Sequence, residues 1–95
     1  MIYYNKSDLN GIGVYISYEL KKGDVIGVSH VWHDGIWYMT THGNYNHSEN
    51  PNCIIRTEGN INLIIADKYI AKDEELTADY RKQSYLEQPE EKWSK

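Results

Sequence analysis

A chain of 95 residues, 40% hydrophobic and 25% charged, sets the scale of one small globular domain with a modest core. At this length folding removes only about 60–65% of the unfolded surface from water. The net charge of −4 argues against direct nucleic-acid binding, which needs a basic face, and favours a basic partner such as a lysine-rich peptide.

The chain opens Met1-Ile2-Tyr3-Tyr4-Asn5-Lys6, which has no leader-like apolar run, and no later stretch reaches the length of a membrane span. No membrane partner is expected. Gly11-Ile12-Gly13 then precedes the first clear strand signal, over 12–18, where β-branched and aromatic residues alternate loosely. The same signal returns over 24–33 and 36–40, and Asp34-Gly35 between them predicts a hairpin turn. Residues 61–66, Ile-Asn-Leu-Ile-Ile-Ala, are the most apolar run and predict a central strand. Helical periodicity is almost absent, except where Pro89 could open a short helix over Glu90-Glu91-Lys92-Trp93. The expected class is mainly β, in short strands and tight turns. One internal echo stands out: Glu19 to Ile26 resembles Tyr69 to Leu76, each an apolar residue, a lysine-containing turn, an acidic residue and an apolar strand start. Cys53 is alone and closes no internal disulfide, so a reducing intracellular setting is expected, cytoplasmic or, in a eukaryotic host, nuclear. Tyrosine occurs nine times and phenylalanine not at all, which suits half-exposed strands.

Two segments carry most of the functional information. Residues 46–53 read Asn-His-Ser-Glu-Asn-Pro-Asn-Cys, and residues 73–80 read Asp-Glu-Glu-Leu-Thr-Ala-Asp-Tyr. Each alone is a polar turn or an acidic strand start. Together and in this order they resemble the two signature motifs of SET-domain protein-lysine methyltransferases. The echoed turn is similar to turns of that family and of the small β-clip domains related to it in fold.

The resemblance implies a SET-domain, β-clip fold with a knot-like C-terminal threading, in one domain over 1–95. Its core would span about 11–80, with 83–95 a tail or lid. It implies methyl transfer from S-adenosylmethionine to a lysine of a protein or peptide. Tyr80 would be the catalytic tyrosine at the end of Glu75-Leu76-Thr77-Ala78-Asp79-Tyr80, orienting the amine or the methyl group. Gly11, Ile12 and Gly13 would give main-chain contacts to the cofactor, and Asn46 and His47 would hold its adenine. Tyr45 would be a loop anchor or part of the lysine channel. Trp93 would stack on the adenine or pack as an ordinary tail residue.

The chain departs from the family at three positions. Gly43 and Asn44 stand where the family usually has Arg-Phe, and Glu49 stands where it often has a zinc-binding cysteine. With no C-terminal cysteines the family's structural zinc lacks its ligands. His30, His33, His42 and His47 fit no zinc spacing, and His30 and His33 would face opposite sides of a strand, so no metal is expected. The short chain also lacks the parts that usually complete the substrate groove, which leaves room for a homodimer. Two rivals remain open: a SET-like module that binds without catalysis, for which Gly43-Asn44 speaks, and a small non-enzymatic β-clip domain.

Overall fold

The computed structural model describes residues 2–79, and in them nearly every β-branched and aromatic cluster of the sequence is extended. Eight strands form: β1 (Ile2–Lys6), β2 (Ile12–Ile16), β3 (Val25–His33), β4 (Ile36–Met39), β5 (Asn46–His47), β6 (Cys53–Glu58), β7 (Ile61–Ala66) and β8 (Glu75–Ala78). A single 3-10 turn, Thr41–Gly43, precedes β5. The strands make two four-stranded sheets, ordered β1-β2-β8-β5 and β4-β3-β7-β6. All pairings are antiparallel except β5 with β8, which is parallel.

The strands expected over 12–18, 24–33, 36–40 and 61–66 are β2, β3, β4 and β7, each a residue or two shorter or equal. β7 is internal, as its apolar run implies. The hairpin joining β3 and β4 turns at Asp34 and Gly35, with φ of 51° and 84°. Two consecutive positive φ values match the type I′ geometry that the twist of a tight hairpin favours. β1 and β6 are strands that the sequence reading did not anticipate. Both lie at sheet edges and show mostly exposed side chains, so they lack the apolar alternation that marks a strand in sequence. The helix expected from Pro89 lies outside the described residues.

The core draws on both sheets. Val14 and Ile16 from β2, Leu76 and Ala78 from β8, Cys53 from β6 and Ile64 and Ala66 from β7 bury together with Leu20, Tyr45 and Ile70. Burial pushes the Cys53 thiol up to about 12, so it is a core side chain and not a nucleophile at neutral pH.

The echoed turns are one device used twice. Leu20 and Ile70 pair with each other through reciprocal main-chain bonds of 2.9 and 3.0 Å. Each leads into a turn closed the same way. The Asp24 amide donates to the Lys21 carbonyl at 3.0 Å, and the Glu74 amide to the Ala71 carbonyl at 3.1 Å. The acidic side chain then returns the bond: Asp24 accepts from the Lys21 amide at 2.8 Å, and Glu74 from the Ala71 amide at 3.0 Å. The third turn position needs a positive φ in both, supplied by Gly23 at 95° and Asp73 at 63°. Tyr3 adds a strut, donating its hydroxyl to Asp73 at 2.6 Å; that carboxylate raises the phenol to about 12.

Irregularity in β3 positions the segment that leads to the first motif. Register shifts against β7 leave Ile26 and Ser29 as extra residues. The Ser29 carbonyl faces β4 and accepts from the Thr40 amide at 2.9 Å, one step beyond the His30–Met39 pair, while the Thr40 hydroxyl donates to the Val28 carbonyl at 2.5 Å. Thr40 in turn caps the 3-10 turn, accepting from the His42 amide at 3.1 Å. The chain then enters β5 one residue after Tyr45, whose ring is buried to 2% exposure and fixes the approach.

Candidate active site

The parallel pair of β5 and β8 brings the two motifs together. Asn46 lies opposite Thr77 and His47 opposite Ala78, and the Ser48 amide donates to the Ala78 carbonyl at 3.1 Å. Such short strands carry no periodicity; they are held by what surrounds them. The loop 48–52 is braced internally by the Asn50 amide donating to Ser48 Oγ at 3.0 Å, and Pro51 fixes φ just before it returns.

The loop comes back to β8 at Asn52, whose buried carboxamide stands in for a strand residue. Its Oδ1 accepts from the Thr77 amide at 2.9 Å, and its Nδ2 donates to the Glu75 carbonyl at 2.7 Å and to the Glu74 carboxylate at 3.0 Å. β8 is thus gripped by Asn46 to Ser48 and again by Asn52. The further threading implied by the family lies beyond Asp79, outside the described residues.

His47 is buried at 3% exposure, with Nδ1 3.7 Å from the carboxylate of the nearly buried Asp79. The pair ties the first motif to the residue immediately before Tyr80. Tyr80 itself and Trp93 lie outside the described residues. Tyr45 is buried in the core.

The Gly-x-Gly segment meets the same place from the N-terminal side. Gly11 has φ of 50°, a left-handed conformation that a side chain disfavours. Ile12 is exposed. Gly13 is buried, and a Cβ there would lie 2.5 Å from the Glu75 carboxylate, so close approach explains that glycine. The Asn46 amide nitrogen lies 2.9 Å from the Asn10 carbonyl, 3.2 Å from the Ile12 carbonyl and 2.8 Å from Glu75 Oε2. Two N–H groups serve three acceptors, so one is shared. All three are oxygens, so only the nitrogen can face them and the orientation of the carboxamide is determined.

Sequence reasoning therefore located Gly11, Ile12, Gly13, Asn46 and His47 in one neighbourhood, but missed two residues that join them. Ser7 donates its hydroxyl to Glu75 Oε1 at 2.7 Å. Glu75 was read only as spacing within the second motif. The polar run Ser7-Asp8-Leu9-Asn10-Gly11 is a turn signature, and that was the available signal.

The departure at Gly43 has a physical basis. A Cβ there would overlap the Ser29 carbonyl oxygen, so the 3-10 turn packs directly on the bulge of β3 and no arginine fits without moving one of them. His30 is buried on β3, His33 is exposed, and among the described residues no three His, Cys, Asp or Glu side chains converge as metal ligands.

Comparison with known proteins agrees with this geometry. The family model of the SET domain matches residues 29–81, over half of the chain. A Plasmodium falciparum protein provisionally assigned as a histone methyltransferase is 26% identical, with a TM-score of 0.68 over 83% of this chain and 91% of that one. A chain of apo ctPRC2 carrying Ezh2 mutations is 18% identical, with a TM-score of 0.73 over 92% of this chain but 15% of that one. A chain of ctPRC2 in complex with H3K27me3 and H3K27M is similar at a TM-score of 0.69, 18% identical, over 84% of this chain and 14% of that one. Among curated proteins no relative matches. The chain belongs to the SET-domain family, and its two sheets form the β-clip fold of that family. The fold is the one carried by methyltransferases.

Proposed function

We propose that this protein is a protein-lysine N-methyltransferase that takes its methyl group from S-adenosylmethionine. The observation that carries the reading is the convergence just described: Asn46 and His47 against Thr77 and Ala78, with the Gly11–Gly13 turn bound to the same Asn46. The residues present suit such a cofactor. The turn offers main chain flanked by hydrogens where other residues carry side chains. Among the described residues β5 is outermost in its sheet, and a strand main chain carries both the donor and the acceptor that an adenine edge needs. The carboxamide N–H groups of Asn46 are spent within the protein, so those donors do not read the base.

S-adenosylmethionine supplies an activated methyl carbon on a sulfonium. The protein's task is alignment and exclusion of water, which positioned groups achieve without covalent participation. Tyr80 is the proposed catalytic group, orienting the lysine nitrogen or the methyl. His47 and Asp79, buried together, hold the backbone that leads into it. The amine must lose a proton first; a free lysine has pKa about 10.4, and a desolvated aromatic channel lowers it toward working pH.

The expected partner is a lysine-bearing protein or peptide, which suits the net charge of −4. A second copy of the chain would complete the groove, and an intracellular site of action belongs to the same proposal. The rival, a SET-like module without catalysis, draws on Gly43 and Asn44. Calorimetry separates the two: the proposal expects saturable heat with S-adenosylmethionine, the rival none. Radiolabelled methyl transfer to a panel of basic proteins then tests the chemistry. Tyr80→Phe should abolish labelling while the melting temperature holds; unchanged turnover rejects Tyr80 as the catalytic group.

A further inference from the structure

We infer that Ser7 and Glu75 are positioning residues of the cofactor site, coupling the Gly11–Gly13 turn to the Asn46 strand; the inference rests on the reading that this turn and strand hold S-adenosylmethionine. Ser7 lies outside the residues matched to the family and outside both motifs. Its placement is nonetheless specific. It is buried, and its hydroxyl donates to Glu75 Oε1 at 2.7 Å while accepting from the Leu9 amide at 2.9 Å and the Asn10 amide at 3.3 Å. Its own amide donates to the Gly11 carbonyl at 2.9 Å, closing the turn that puts Gly11 in its left-handed conformation.

Glu75 takes the other end of the link. Oε1 accepts from Ser7 and Oε2 accepts from Asn46 Nδ2 at 2.8 Å. The carboxylate also rests where a Cβ on Gly13 would be, 2.5 Å away. Three segments far apart in sequence therefore meet on one side chain: the N-terminal turn, the first motif and the start of β8. The meeting needs an acceptor on both arms. Glutamine has one oxygen and one amino group, so it would set a donor against either Ser7 or Asn46. A carboxylate alone satisfies both, and charge assistance strengthens each bond.

The role is to hold, and it separates from catalysis in kinetics. Ser7→Ala and Glu75→Gln should each raise the calorimetric Kd for S-adenosylmethionine about tenfold, the effect of one lost hydrogen bond to a charged group. kcat at saturating cofactor should stay within about threefold, since neither group touches the reacting atoms. Because the two act through one link, the double variant should bind within about threefold of the weaker single variant. Ser7→Thr, which keeps the hydroxyl, should restore affinity. Amide exchange on the cofactor-free chain gives a second readout. Glu75→Gln should speed exchange at Leu9 and Asn10, whose partner Ser7 it leaves in place. Wild-type affinity together with wild-type exchange at Leu9 and Asn10 in Glu75→Gln, or wild-type affinity in Ser7→Ala, overturns the inference. A wild-type chain with no saturable heat instead overturns the cofactor reading itself, whatever the exchange shows.

Discussion

Gly43 shows how one missing side chain can decide the course of a segment. The usual family residue at this position is an arginine, and here even a methyl group would strike the Ser29 carbonyl. That carbonyl faces β4 and already accepts from the Thr40 amide. Bulge, capped turn and glycine form a single fitted contact, and it sets the path of the main chain into Asn46. Gly43→Arg should therefore destabilise the protein by about 2–3 kcal/mol through overpacking against backbone. Urea denaturation checks this, and an unshifted midpoint would mean that the turn moves away freely. The departure from the family pattern was visible in the sequence; its cause was not, because the contact of Gly43 with the Ser29 carbonyl forms only when remote residues are brought together.

At the scale of elements, β8 depends on side chains as much as on strand pairing. It has only four residues, its pairing with β2 joins Val14 to Leu76 and Tyr15 to Glu75, and β5 adds only two more. Asn52 supplies the missing rungs. Asn52→Ala would remove the side-chain bonds to the buried Thr77 amide and to the Glu75 carbonyl, at a cost of about 2–4 kcal/mol. The loss should appear as a lowered denaturation midpoint with faster exchange at Thr77; a wild-type midpoint would reject the role. Legibility followed the same division. β2, β3, β4 and β7 announced themselves by β-branched runs and by Asp34-Gly35. β1 and β6 did not, being exposed edges, and β5 and β8 were visible only as motifs. The echoed turns were seen as a repeat, but that Leu20 and Ile70 bond to each other follows from tertiary closure, which no local pattern encodes.

For the molecule as a whole, acid should be destabilising through His30. Burial lowers its pKa in the folded state, with Nδ1 set 3.1 Å from Ser29 Oγ in the interior of β3. The unfolded chain titrates near 6.5, so below that pH it binds a proton that the folded chain resists. The contribution of His30 is therefore complete above about pH 6.5 and is lost as the pH falls below it toward the lower folded value. Denaturation midpoints measured from pH 7 down to pH 5 should fall more steeply for the wild type than for His30→Asn; parallel slopes would refute the assignment. Of the site, sequence supplied the two motifs and the Gly-x-Gly turn. Ser7 and the double acceptance by Glu75 emerged only when three remote segments were brought within hydrogen-bond reach.

The place of β8 between β2 and β5 has a consequence for biosynthesis. A ribosome makes Ile12–Ile16 and Asn46–His47 long before it reaches Glu75, yet in the sheet these two earlier strands are joined to each other only through the one still to come. Until that late segment emerges, the nascent chain holds two open edges and no way to join them, so this half of the protein closes in a single late step.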